Sequence, residues 1–182
     1  MKKIKLLAVA LLATLTVGLT SCNKDDKIPY DGETLKDGAY IEKHDFGTDP
    51  TASYKLHFKF GYNQGNVEVI GLTSPGIPSG LTNQNCVTGV AIMDFGKCNG
   101  LSKIDAYPSD NAFLDANEKP VTSVKAEQKH GYVIKVWGAH NLDSYQNPDI
   151  HDPKPAYIRL WIEELEGDMK CRYEYPWVPA EN

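Results

Sequence analysis

Several features that usually announce a function are missing from this chain. Its 182 residues hold no Gly-x-Ser-x-Gly elbow, no Cys-x-x-Cys pair, no His-Glu-x-x-His helix and no EF-hand loop. The commonest signatures of a serine hydrolase, a zinc knuckle or thioredoxin-like site, a zinc protease and a calcium loop are thereby removed. Basic charge is scarce, with 19 Lys and Arg against 24 Asp and Glu and a formal charge of −5. An acidic domain repels phosphate backbones, so nucleic acid is not an expected partner. Helical periodicity is nearly absent, and no internal repeat occurs. After the first twenty residues there is no second apolar run of the roughly 20 residues a membrane span requires.

What is present begins at the N-terminus. Met1-Lys2-Lys3-Ile4-Lys5 precedes the apolar stretch LLAVALLATLTVGLT, which ends in Leu19-Thr20-Ser21-Cys22. A cationic start, an apolar core and a small-residue exit read as a secretory signal peptide over residues 1–21. The exit resembles a bacterial lipobox, which implies cleavage before Cys22 and acylation (diacylglycerol, palmitate) of that residue. Each buried CH2 contributes about 0.8 kcal/mol and one chain alone holds only marginally, so several chains make a stable anchor. Residues 22–35 are expected to be the acylated Cys and a polar tether, because Asn23-Lys24-Asp25-Asp26-Lys27 cannot bury enough surface to fold. An acidic pair just after the Cys also resembles the export signal of surface lipoproteins in the Bacteroidetes. The expected location is the cell envelope, lipid-anchored at the outer membrane and facing outward. Loss of Lys2, Lys3 and Lys5 with the signal takes the basic residues from 19 to 16 and the formal charge from −5 to −8.

Residues 36–182 suit one domain of ordinary size. Period-two alternation bounded by Gly, Pro, Asn and Asp recurs along them. SYKLHFKFGY places Tyr54, Leu56, Phe58 and Phe60 on one face, then turns through YNQGN into VEVIGL. CVTGVAIMDFG reads as a buried strand with Gly89 as a candidate bulge. VTSVKA and GYVIKVWG flank EQKH as a second expected hairpin. AYIRLWIEEL sets Ile158, Leu160 and Ile162 against Tyr157, Arg159, Trp161 and Glu163, and turns through Glu166-Gly167-Asp168 into MKCRYEY. There Cys171, Tyr173 and Tyr175 share one face, and Lys170, Arg172 and Glu174 the other. Residues 100–119 offer room for a short helical turn, and Trp177 is placed to pin the C-terminus. The expected fold is all-β and mainly antiparallel, a single sandwich- or barrel-like domain with few or no long helices.

The succession FGKCNGLSKIDAYP, VTSVKAEQKHGYVIK, AYIRLWIEEL and YEYPW resembles the pattern of a Bacteroides-type surface lipoprotein family, a domain of unknown function. It covers about residues 95–177. The resemblance implies a lipoprotein and transfers no activity. Two departures stand out: the insertion AHNLDSYQNPDIHDPKP between Gly138 and Ala156, and the shortened turn LEGDMK.

Candidate sites follow from residue chemistry. The insertion 139–155 gathers His140, Asn141, Asp143, Asn147, Asp149, His151 and Asp152. Of these, His140, Asp143, Asp149, His151 and Asp152 form an expected metal set, since imidazole and carboxylate suit zinc or another divalent ion. Haem ligation by His130 and His151 is a sharper form of the same idea. Tyr132 and Trp137 on one strand, with Tyr157, Arg159 and Trp161 on the next, form a candidate stacking platform for sugar rings. The opposing reading of that face is the second side of a two-sided core. Cys86 and Cys98 are a candidate disulfide, and Cys171 a buried thiol. Glu163 and Glu164 are adjacent on a strand and point to opposite faces unless a bulge intervenes.

The expected function is that of a lipid-anchored, non-catalytic surface domain binding a glycan, a small ligand or an envelope protein. The alternative is metal or haem binding through 139–155, and hydrolysis stands third. No cofactor is specified by the sequence.

Overall fold

The computed structural model describes residues 31–48, 55–75, 85–138, 150–151 and 154–179. The expected signal peptide, Cys22 and the first part of the expected tether lie outside them. Strands β1 (Asp31–Leu35), β7 (Gly89–Lys97), β9 (His130–Trp137), β10 (Ala156–Glu166) and β11 (Asp168–Glu174) form an antiparallel sheet in the order β1-β11-β10-β9-β7. Strands β2 (Ala39–Asp45), β3 (Leu56–Asn63), β4 (Asn66–Gly71) and β8 (Ser123–Lys125) form a second antiparallel sheet in the order β2-β3-β4-β8. A small ribbon pairs β5 (Thr73–Pro75) with β6 (Asn85–Val87). The sheets do not close into a barrel. The fold is an all-β antiparallel sandwich, with no long helix among the described residues.

The alternation in the sequence explains the layers. Leu56, Phe58 and Phe60 of β3, with Val67 and Val69 of β4, are buried against Tyr132, Ile134 and Val136 of β9 and Ile158, Leu160 and Ile162 of β10. Burying one such side chain contributes about 1.5–3 kcal/mol. Edge-on ring pairs stitch the sheets together: Phe58 with Tyr175 and Phe60 with Tyr173, each with centroids 5.3 Å apart. Pairs of this kind add about 0.5–1.5 kcal/mol beyond burial.

The five-stranded sheet has a second covered face. The other parity of its strands, Ala91, Val133, Trp137 and Tyr157, packs under Leu101, Ile104, Phe113, Ile150 and Trp177. The cover is the segment between β7 and β8, which carries two 3-10 turns, Leu101–Lys103 and Asp110–Phe113. Trp177 closes it, its N–H donating to the Tyr157 carbonyl at 2.8 Å. Strand β9 is therefore buried on both sides from Gly131 to Trp137.

Three expectations change. β1 occupies Asp31–Leu35, inside the expected tether, and pairs with β11 along its length. β8 and β9 do not form a hairpin. β8 pairs with β4 of the second sheet, and the EQKH segment carries the chain from one sheet to the other. Gly89 is not a bulge, because it pairs in register with Trp137 and a Cβ there would lie 2.3 Å from the indole. The register shifts instead between Asp94 and Gly96.

Candidate functional site

The expected aromatic platform does not form as one surface. Tyr132 and Trp137 are five residues apart on a strand, so their side chains face opposite sides of the sheet. Tyr132 lies in the inter-sheet core, its hydroxyl donating to the Lys125 carbonyl at 2.9 Å and accepting the Glu127 N–H at 2.8 Å. Trp137 lies under the cover, against Gly89. Tyr157 is also covered, its ring stacked on Tyr107 at 4.0 Å, and burial pushes its hydroxyl pKa up to about 12.

Arg159 ties the cover to the sheet. Its Nε donates to Glu174 Oε2 at 2.7 Å, and one terminal nitrogen donates to the carbonyls of Leu101 and Ile104 at 3.2 and 2.8 Å. The guanidinium thus caps the end of the Leu101–Lys103 turn, and the Trp177 ring lies 5.4 Å away. For these four residues the two-sided core describes the face.

Trp161 alone of the five stays half-buried, at the border of the cover. Its indole N–H donates to the Cys98 carbonyl at 3.0 Å, and Lys129 Nζ sits 4.8 Å from its ring centroid. Register places Trp161 opposite Gly131 on one side and Arg172 on the other, with Gly32 beyond Arg172 and Gly96 beyond Gly131. One row of this face therefore reads Gly32, Arg172, Trp161, Gly131, Gly96 across all five strands. Over Gly131 the cover comes down, with Ile104 Cδ1 2.7 Å and Cys98 Sγ 3.0 Å from where a Cβ would be. At Gly32 no atom of the described residues lies within 4 Å of that point.

From Trp161 outward no described residue covers the face. Gly32, Thr34, Glu163, Lys170 and Arg172 line a trough of about 380 Å3 floored by the backbone of β1 and β11. The register slips between Ile162 and Glu164, a bulge at Glu163. Both glutamates consequently reach the same lysine: Lys170 Nζ lies 3.6 Å from Glu163 and 3.5 Å from Glu164. The bulge is the condition under which the two are not expected to point apart. Arg172 donates to Glu163 from Nε at 3.3 Å and from a terminal nitrogen at 3.4 Å. Partial burial pushes the Glu163 carboxyl up, but the bonds from Arg172 and Lys170 outweigh it and hold its pKa below the ordinary value.

Of the expected metal set, His140, Asp143, Asp149 and Asp152 lie outside the described residues. His151 is described, and its Nδ1–H donates to Asp110 Oδ2 at 2.8 Å. Asp110 also takes Lys135 Nζ on Oδ1 at 2.5 Å, and the same Nζ donates to the Ile150 carbonyl. Burial raises the Asp110 pKa, but these bonds override it and leave the pKa low. Among the described residues no three His, Cys, Asp or Glu side chains stand ready to hold a metal ion.

His130 is at the far end of β9, its Nδ1 3.1 Å from Asp94 and its Nε2 3.3 Å from Glu127. Five residues of strand, about 16 Å, separate it from Lys135, so His130 and His151 do not meet across one haem iron. Cys86 and Cys98 flank opposite ends of β7, whose length of about 26 Å puts them beyond the ~7 Å reach of a disulfide. Burial pushes the Cys171 thiol up to about 12.

Sequence reading missed the trough. The alternation had put Lys170 and Arg172 on one face, but nothing local announces that β1 joins β11 and sets Gly32 beside Arg172. No protein-family model, no curated protein and no solved structure matches the chain. The likeness to Bacteroides-type lipoproteins rests on the quoted motifs. No helix among the described residues is long and apolar enough to cross a membrane.

Proposed function

We propose that the protein is a lipid-anchored cell-surface domain that binds a ligand without transforming it, at the outer face of β1, β11 and β10. The observation that carries this reading is the row Gly32, Arg172, Trp161, which leads from an aromatic border into an open polar trough. Rings that meet indole, guanidinium and carboxylate groups in a shallow concavity gain both apolar contact and oriented hydrogen bonds.

The chemistry of the trough favours binding over hydrolysis. A general acid must hold its proton near neutral pH, yet Glu163 is held below its ordinary pKa. The buried thiol of Cys171 is shifted away from nucleophilic use. The lipid anchor is supported by Leu19-Thr20-Ser21-Cys22 after the apolar run, and the outward location by the acids that follow.

A glycan microarray probed with the full-length protein tests the reading. Binding to a defined group of glycans, abolished in Trp161→Ala and in Arg172→Ala, is expected. Binding that both variants retain contradicts the site.

A second reading, metal or haem binding through residues 139–155, has one described contact in its favour. Asp110 accepts the Nδ1–H of His151, the carboxylate–imidazole pairing that orients metal-ligating histidines. Metal analysis of wild type beside His140→Ala, His151→Ala checks it: stoichiometric zinc lost in the double variant supports it, and equal metal content in both contradicts it.

A further inference from the structure

Resting on the binding reading above, we infer that the occupant of the trough is an uncharged saccharide segment rather than an anionic polymer or a cationic peptide. The inference comes from the charge arrangement of the lining. On the outer face Glu163 and Glu164 stand against Lys170 and Arg172, two charges of each sign, so the trough has no net charge to recruit a polyion.

The cations are also already engaged. Arg172 is bonded to Glu163 through two nitrogens, and Lys170 stands between Glu163 and Glu164. An incoming carboxylate or sulfate would have to displace a glutamate that is part of the lining itself, and would then face it at close range. A cationic peptide meets the same obstacle with the signs exchanged. The whole chain adds a formal charge of −5, which repels polyanions over the Debye length.

A hydroxyl group has no such conflict. It donates to a carboxylate oxygen and accepts from a guanidinium or ammonium at once, so it can bridge an existing ion pair without breaking it. The trough presents carboxylate and cation side by side at three places: Arg172 with Glu163, Lys170 with Glu163, and Lys170 with Glu164. Vicinal hydroxyls of a pyranose match such alternating acceptors and donors. Trp161, one strand from Arg172, supplies the apolar contact for the ring of the neighbouring sugar, and Gly32 keeps the far side clear of side chains. Three strands set about 4.8 Å apart give a floor roughly 10 Å across.

The test is titration of the full-length protein, in detergent, with neutral hexasaccharides (gluco-, manno- and xylo-oligomers) and with charged ones (hexagalacturonate and a heparin hexasaccharide), at low and high salt. We expect saturable binding of a neutral hexasaccharide that is insensitive to salt and weakened about tenfold or more in Lys170→Ala and in Arg172→Gln. Lys170 is exposed, which keeps its variant a test of binding rather than of folding. Tighter binding of a charged hexasaccharide that fades with salt and depends on the same two residues overturns the inference and leaves the binding reading intact. Saccharide binding unchanged in both variants, or none by any neutral oligomer, overturns it outright.

Discussion

Lys135 Nζ and Asp110 Oδ1 stand 2.5 Å apart, joining a side chain that is 1% exposed to one that is 30% exposed. The lysine comes from the middle of a strand buried on both faces, and the aspartate from the 3-10 turn that covers it. The asymmetry in exposure gives a prediction about which partner can be lost. Asp110→Ala strands the Nζ of a buried lysine with the Ile150 carbonyl alone, and should destabilise the domain by about 3–5 kcal/mol. Lys135→Met leaves a part-exposed carboxylate that water can reach, and should cost much less. Urea midpoints of the two variants check the order, and equal losses contradict it.

The three glycines Gly32, Gly131 and Gly89 should respond differently to one added methyl. Gly32→Ala meets nothing within 4 Å and should leave stability unchanged. Gly131→Ala pushes against the tips of Ile104 and Cys98 at 2.7–3.0 Å, at a cost of about 1–3 kcal/mol. Gly89→Ala meets the rigid indole of Trp137 at 2.3 Å and should be the worst. Thermal denaturation ranks the three.

Cys171 should be chemically silent in the folded protein. With its thiol pushed up to about 12 by burial, iodoacetamide at mildly alkaline pH should modify it only after denaturant is added. Peptide mapping by mass spectrometry reads the result, and rapid labelling of Cys171 in native buffer contradicts its placement between the sheets.

On the second sheet, His57 faces two acceptors, Glu42 Oε1 at 2.6 Å from Nε2 and the Thr73 carbonyl at 3.0 Å from Nδ1. The bond to Glu42 and then that to Thr73 raise the His57 pKa above its ordinary 6.5. A raised pKa contributes stability that is complete below 6.5 and lost as pH rises through the folded value. Glu42 is lowered from 4.5, chiefly by the same bond, so its contribution is complete above 4.5 and lost as pH falls. The pair therefore stabilises most between those two values. His57→Gln should lose stability relative to wild type near pH 5.5 and lose less near pH 8.5, by a small margin because solvent screens the pair. Urea titrations at the two pH values check the sign.

Much of the sandwich is legible in the sequence because its hairpins are local. Gln64 and Gly65, both with positive φ, turn β3 into β4 where YNQGN marks a turn, and Gly167 with φ of 85° turns β10 into β11. The alternation of Ile158, Leu160 and Ile162 against Tyr157, Arg159 and Trp161 correctly separates two faces of β10. It does not say that both faces are covered, because the covering segment is irregular and carries no period. That is why Tyr157 and Arg159, which alternate like surface residues, are buried instead. Non-local pairing is the other gap. β1 and β11 are joined over more than a hundred residues of sequence, and no turn announces the meeting that places Gly32 beside Arg172. The candidate site was accordingly legible in one residue, Trp161, and in the shared face of Lys170 and Arg172.

The most direct test follows the three tryptophan indole N–H signals of the 15N-labelled protein during titration with the neutral hexasaccharides. Substitution of each tryptophan by Phe assigns them. Trp161, at the border of the trough, should shift together with the amides of Gly32 and Arg172, while buried Trp137 and Trp177 hold still. Shifts confined to the second sheet, or a spectrum that no neutral oligomer moves, would contradict a neutral-saccharide site on the outer face of β1, β11 and β10.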